Sequence, residues 1–235
     1  MTLLPPELIS LDIWHTLIVP NPQFKVLQVE LFADFLGVKP DSTFQAIVKQ
    51  VDEWAYQKSL LGKDTSFEER IEQISSLLPQ GNVSLLLDVE KLYQDMELLF
   101  LHYAPLLIEK DLTETLQIIR QKGIQIALLS NTGFIKGQTM RKFLKNSQIL
   151  AHVDIAIFSN EVGICKPHPQ IFELLIQRVS NRAKLWHVGD SYEADYIGAV
   201  NMGLQAFLLQ NSRDNLNFAI NIQTTPSIQF LLNYL

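Results

Sequence analysis

Two patterns of apolar and polar positions run along this chain and meet near residue 110. From about Leu112 onward, short apolar runs alternate with amphipathic stretches. Asp111-Leu-Thr-Glu114 predicts a capping box and Gly123 a stop, which together bracket a helix. Ile124 to Ser130 (IQIALLS) is too short and too uniformly apolar for a surface helix and predicts a strand covered on both faces. The cycle then repeats: helix Gln138 to Lys145 and strand Asp154 to Ser159, helix Pro169 to Val179 and strand Lys184 to Val188, helix Glu193 to Met202 and strand Leu204 to Leu209. Such alternation predicts a parallel sheet with helices on both sides.

Residues 20–110 carry the other pattern. No run there reads as a strand, whereas Phe24 to Leu36, Ser42 to Leu61, Ser66 to Leu78 and Leu86 to Tyr103 read as helices. Ser66-Phe-Glu-Glu69 is a second capping box, and Pro79 and Gly81 close the third helix. Leu8 to Asp12 is one more apolar strand. The predicted fold is α/β: a Rossmann-like parallel-sheet core built from residues 1–19 and 111–235, with residues 20–110 inserted as an all-helical unit above one edge of the sheet.

Composition changes this picture little. With 47% hydrophobic and 19% charged residues the chain suits a globular fold and excludes disorder. A formal net charge of −6 disfavours nucleic acid as a partner, because phosphate-backbone binding needs clustered Lys and Arg. No apolar stretch is long enough to span a bilayer, and MTLLPPELIS has no basic segment ahead of its apolar residues, so neither a membrane partner nor a secretory signal is expected. The single cysteine, Cys165, rules out an internal disulfide and fits the cytoplasm. The Asn82-Val83-Ser84 sequon then reads as an accident of turn composition.

In an open parallel sheet, ligands sit beyond the carboxyl ends of the strands. Asp12 ends the first predicted strand, Ser130 ends IQIALLS and is followed by Asn131, Lys166 lies in the loop after the strand ending at Ser159, and Gly189-Asp190-Ser191 follows KLWHV. Two carboxylates can hold Mg²⁺ through oxygen. Ser130, nearby backbone amides and Lys166 can bind the remaining phosphoryl oxygens. A carboxylate beside the phosphorus is a competent nucleophile that would form an aspartyl phosphate, and Asp12 is the candidate.

These motifs, taken in order, resemble the haloacid dehalogenase (HAD) superfamily, in the subfamily with a helical cap inserted after the first motif. They are Asp12-Ile-Trp-His-Thr16-Leu17, Ser130-Asn131, Lys166-Pro167 and Gly189-Asp190-Ser-Tyr-Glu-Ala-Asp195, and SNEVGICKPHPQIF, residues 159–172, is similar to that subfamily's third-motif region. The resemblance implies that Asp12 is nucleophile and Mg²⁺ ligand, with the backbone carbonyl of Trp14 and the carboxylate of Asp190 as further ligands and Asp195 supporting the metal or its water. It implies that Ser130 and the Asn131 amide hold the phosphoryl group of a small phosphorylated substrate, that Lys166 offsets charge, and that Thr16 braces the first loop.

One position departs from that pattern. Phosphatases of the family place a second aspartate two residues after the nucleophile, where it protonates the leaving oxygen; here that residue is Trp14. Dehalogenases of the family have an aromatic tyrosine there and work without Mg²⁺, but this chain keeps the metal-type fourth motif. A phosphatase is therefore expected first, with a 2-haloacid dehalogenase or a phosphate-binding protein of weak turnover as alternatives. Other polar residues near the motifs read as structural: His15 as filling its loop position, Cys165 as a small buried residue, Glu161 as a loop residue, His168 and His187 as satisfied histidines. Trp54, Tyr56 and Phe67 read as core, and Lys63 and Asp64 as a solvated turn.

Overall fold

A computed structural model describes residues 3–79, 88–209 and 223–235. The chain enters through β1 (Leu8–Leu11), turns sharply after Asp12 and leaves through β2 (Ile18–Val19). It then runs through α1 (Pro22–Leu36), α2 (Ser42–Leu60), α3 (Phe67–Ser76) and α4 (Val89–His102), and returns through β3 (Leu106–Leu107). The remaining elements are α5 (Leu112–Gln121), β4 (Gln125–Ser130), α6 (Gly137–Asn146), β5 (Ile155–Phe158), the single turn α7 (Ser159–Val162), α8 (Pro169–Ile176), β6 (Leu185–Gly189), α9 (Gly198–Asn201), β7 (Gln205–Leu209) and β8 (Thr224–Thr225).

Six strands form one parallel sheet in the order β5-β4-β1-β6-β7-β8. Side chains alternate between its two faces, and each face has its own core. Ile9, Leu11, Ile126, Leu128, Trp186, Val188 and Phe207 pack with Leu112, Leu116 and Ile119 of α5. Leu8, Ala127, Leu129, Leu185 and Ala206 pack with Ile171, Phe172 and Leu175 of α8. Strands covered on both sides have no polar face to show, which is why they read as continuous apolar runs.

β2 and β3 pair antiparallel, Ile18 opposite Leu107, so the four helices rise from a two-stranded stem. They hang from β1, an inner strand between β4 and β6, and not from an edge of the sheet as expected. Their core continues into that of the sheet: Phe32 and Phe67 from the helices meet Phe134, which follows β4, at ring-centroid distances of 5.0 and 6.1 Å. Phe67 is core, as read from the sequence, but Tyr56 lines a cavity instead.

Several elements differ from the pattern reading. β3 lies inside the stretch expected to hold no strand; two residues are too short to show alternation, and their partner is distant in sequence. Asp111 precedes α5 but makes no capping bond, because its backbone (φ −96°, ψ 20°) is not in the extended region from which a cap reaches forward. Ser66 and Glu69 do form the reciprocal box. Ser159 opens α7 instead of ending β5. The expected helix 193–202 is split into a π-helical turn, Tyr192–Ile197, and α9. The sequon at 82–84, Gly81 and the first residues expected for the fourth helix lie outside the described residues. Among the described residues no helix is long and apolar enough to cross a membrane.

Candidate active site

The turn after β1 is built on one carbonyl. The amides of Thr16, Leu17 and Ile18 all point to the oxygen of Ile13, and the amide of His15 donates to Ile18. This winding puts His15 at φ 58°, a left-handed conformation that costs a non-glycine residue on the order of 1 kcal/mol. It also fixes the carboxylate of Asp12: Thr16 Oγ1 donates to Oδ2 at 3.1 Å and Lys166 Nζ to Oδ1 at 2.7 Å.

Lys166 reaches that point because its own backbone is clamped. Its amide donates to Asn131 Oδ1 and its carbonyl accepts from Asn131 Nδ2, both at 2.8 Å, which ties the loop after α7 to the end of β4. The ammonium lies between two carboxylates, Asp12 and Asp195, the latter at 2.6 Å. Burial alone would depress its pKa, but the two anions outweigh burial and hold it above the usual lysine range.

Asp195 comes from the π-helical turn. The amides of Asp195 and Tyr196 both donate to the Ser191 carbonyl, and the Ser191 amide donates to Asp195 Oδ2 at 3.0 Å, so the carboxylate folds back under the end of β6. Gly189 makes room for it, since a Cβ there would sit 2.1 Å from Asp195 Cγ. Oδ1 also meets His187 Nε2 at 3.1 Å, and His187 Nδ1 meets Ser10 Oγ at 3.0 Å. Ser10 and His187 are register partners on β1 and β6. Burial lowers the pKa of His187, so the neutral ring donates from Nε2 and accepts from Ser10 at Nδ1. Burial would raise Asp195, but Lys166 and the His187 hydrogen bond outweigh it and hold the carboxyl well below the usual range. His187 is satisfied, as expected, yet it also extends a buried chain of contacts through Asp195 and Lys166 to Asp12, a role no local sequence signal marks.

Asp12, Asp190 and Asp195 offer oxygens that lie within 4.8 Å of one another, and all three residues are buried. Lys166 alone does not balance them. Burial, then the Asp12 and Asp195 charges, push Asp190 up to about 9, and burial raises Asp12 despite Lys166. Oxygen donors in surplus negative charge are the donor set of a hard dication such as Mg²⁺, so the residues present fit that metal.

Above this floor opens a cavity of about 590 Å³ whose walls include Asp12, Trp14, His15, Asn131, Lys166 and Asp190. Phe24, Lys25, Lys49, Asp52, Tyr56 and Arg70 line it from the helical insertion. Trp14 sits edge-on to Phe100 of α4, with ring centroids 6.2 Å apart. Ser130 is buried beneath the wall, its Oγ 3.3 Å from the Asn131 carbonyl, and Thr16 is buried behind Asp12.

At the turn of Lys63 and Asp64, Lys63 is exposed as expected, but Asp64 is half-buried and bonded. Asp64 Oδ1 accepts from Ser159 Oγ at 2.7 Å and from Cys165 Sγ at 3.4 Å, Lys63 forms a β-bridge with Ile164, and Cys165 N donates to Gly62 O. At φ 79°, Gly62 lies against the His168 side chain, where a Cβ would come within 2.6 Å of Cδ2. Cys165 is buried and its thiol is pushed up to about 12 by burial and the neighbouring Asp64, which makes it inert. Glu161 pairs with Arg141 on the surface.

The sequence profile of the haloacid dehalogenase-like hydrolases matches residues 6–203, which include every residue of this floor. The chain belongs to that family. Haloacid dehalogenase-like hydrolase domain-containing protein 3 of Mus musculus is 34% identical over 99 residues, 42% of this chain and 38% of that protein. Ribulose-1,5-bisphosphate 5-phosphatase of Halopiger xanaduensis is 31% identical over 106 residues, 45% of this chain and 43% of that protein. The matches thus span less than half the length of these relatives. Among solved structures, the magnesium-bound HAD hydrolase YfnB of Bacillus subtilis superimposes with a TM-score of 0.72 over 98% of both chains at 16% identity, a likeness of fold.

Proposed function

We propose that this HAD family member is a magnesium-dependent phosphatase that acts on a small phosphorylated metabolite through an aspartyl phosphate at Asp12. The observation that carries the proposal is the cluster of Asp12, Asp190 and Asp195 at the floor of the cavity, with Lys166 paired to Asp12 and Asp195. The phosphatase among the relatives and the magnesium in the YfnB structure support the same reading. Asp12, Asp190 and the backbone carbonyl of Trp14 would hold the metal, with Asp195 in support. When bound, Mg²⁺ supplies positive charge that offsets the phosphoryl oxygens beside Asp12.

Lys166 and Thr16 orient the Asp12 carboxylate, from which one oxygen attacks phosphorus while the bond to the ester oxygen breaks. With Trp14 unable to donate, the departing oxygen takes its proton from a water molecule. Water then attacks the phosphorus, inorganic phosphate leaves and the Asp12 carboxylate is regenerated. Lys166 and amides of the Ser130-Asn131 loop hold the remaining oxygens. Residues 20–110 act as a cap, opening on the β2/β3 stem to admit substrate and closing to exclude water. The buried lone cysteine fits work in the cytoplasm.

A panel of phosphate esters and 2-haloacids, assayed with Mg²⁺ and with a chelator, tests the proposal. Phosphate release that vanishes on chelation is expected. Metal-independent halide release would replace it with the dehalogenase reading, and binding of a phosphate analogue without any turnover would leave a binding protein.

A further inference from the structure

Arg70, on α3, is 6% exposed and lines the cavity. Nε donates to the Thr65 carbonyl at 3.3 Å and Nη2 to the Thr132 carbonyl at 3.4 Å, both long contacts, and the guanidinium lies 5.3 Å from the Phe134 ring centre. These hold the fork in one plane next to the loop that carries Asn131. Among the described residues Nη1 has no hydrogen-bond partner. Its ionic partner, Asp52, is 3.6 Å away, with a side chain 58% exposed that itself lines the cavity. Burial depresses the pKa of Arg70 further than Asp52, Asp64 and its other acidic neighbours raise it. A buried guanidinium held by two neutral carbonyls and a water-screened carboxylate is preorganised for an anion that can dock on it closely. Lys25 and Lys49 line the same side of the cavity, so the cations of the helical wall outnumber Asp52 and Glu53.

We infer that Arg70 determines specificity by receiving a second anionic group of the substrate, a carboxylate or another phosphate, beside the phosphoryl group held at Asp12. This rests on the phosphatase reading for the position of the first phosphate. Because Arg70 is bonded to Thr132, one residue from Asn131, the two anionic groups belong close together, as in short phosphorylated acids and compact bisphosphates.

The test is calorimetric binding, in the presence of Mg²⁺, of ligand pairs that differ only in the second anion: 2-phosphoglycolate against ethyl phosphate, and glycerol 1,3-bisphosphate against glycerol 3-phosphate. An Asp12→Asn background prevents turnover. The doubly anionic member should bind about 10- to 100-fold more tightly, as expected for a charge-assisted contact. Arg70→Gln should bring that ratio to near one and Arg70→Lys should keep part of it. The two pairs separate carboxylate from phosphate as the preferred group. A ratio near one in the parent, or one untouched by Arg70→Gln, overturns the inference. So does an equal loss for both members of each pair, which would make Arg70 a tie for the Thr132 loop only. Absence of ester hydrolysis by the unmodified chain, with the ratio intact, would sink the phosphatase reading and leave the role of Arg70 standing.

Discussion

Trp14→Asp places a carboxyl where the family's phosphatases carry their proton donor, and two opposing magnitudes can be worked out. On the debit side, Trp14 is half-buried and meets Phe100 edge-on. Truncating a fully buried tryptophan costs about 3–5 kcal/mol, so a half-buried one should cost about 2, the aromatic pair included. At 235 residues that lowers the thermal midpoint by about 4–8 °C. The gain is in the first chemical step: a positioned general acid contributes about 10²–10⁴ in rate, equal to about 3–5.5 kcal/mol. The gain depends on leaving group, because an alkoxide needs the proton and a nitrophenolate does not. The assay is therefore the ratio of kcat for ethyl phosphate to kcat for p-nitrophenyl phosphate, which cancels losses common to both. It should rise by about 10²–10⁴ in Trp14→Asp and stay flat in Trp14→Asn, which matches the shape but carries no proton. A flat ratio in Trp14→Asp, with the thermal midpoint inside the stated range and magnesium binding retained, would refute the claim that a missing acid limits the natural chain.

Four further outcomes are expected. Lys166→Met strands Asp12 and Asp195 without their buried cation and should cost about 3–5 kcal/mol in urea unfolding at neutral pH; a loss under about 1 kcal/mol would contradict the charge network. Gly189→Ala should expel the Asp195 carboxylate, so that stability and phosphate release fall together, whereas a variant with natural activity would show that the close approach is not needed. Thr65 Oγ1 is buried without a partner among the described residues, and Thr65→Val should raise stability by about 1 kcal/mol, a fall instead pointing to a hydrogen bond formed in solution. Hydrogen bonds from Ser180, then Lys184, lower the Glu7 carboxyl to about 2 from 4.5. A depressed folded pKa adds stability that is full above 4.5 and fades as pH falls towards 2. The stability difference between the natural chain and Glu7→Gln should accordingly shrink across that window, and a constant difference would deny Glu7 that role.

The sheet was legible because a parallel strand covered on both faces leaves no polar positions, so IQIALLS could hardly be anything else. Asp12 and Asp190 were legible because each sits where a strand ends, Lys166 because its loop follows one, and one topology carries those ends to one side; Asp195 was marked only by the family resemblance of the fourth motif. What stayed hidden depends on contacts between distant segments. Asp64 and Arg70 look like the turn and helix surface of any polar sequence until α3 is laid against Ser159 and Thr132. The π-helical turn was hidden for a different reason. Glu193 to Met202 has ordinary helical composition, and nothing in it marks the wider turn in which the amides of Asp195 and Tyr196 share the Ser191 carbonyl.

The floor of the site divides the work between fold and ligand. Ser10 and His187, side by side on the two central strands, hold Asp195; Asp195 holds Lys166; Lys166 holds Asp12. Every link is buried, and each carboxylate oxygen of Asp12 and Asp195 has a donor, so the fold itself holds the Asp12 carboxylate in one orientation. Asp190 stands beside this chain as the third carboxylate, its pKa pushed up to about 9 by burial and by the Asp12 and Asp195 charges. The fold thus supplies orientation in full and charge balance only in part. The missing positive charge is what a dication would bring, and it would be needed most when phosphoryl oxygens enter beside Asp12. A site of this kind binds its anionic substrate poorly when the metal is absent, so magnesium and phosphate analogue should each tighten the other's binding by the same factor. Calorimetry in both orders of addition measures that factor, and a value of one would mean that the three carboxylates serve only to hold Lys166.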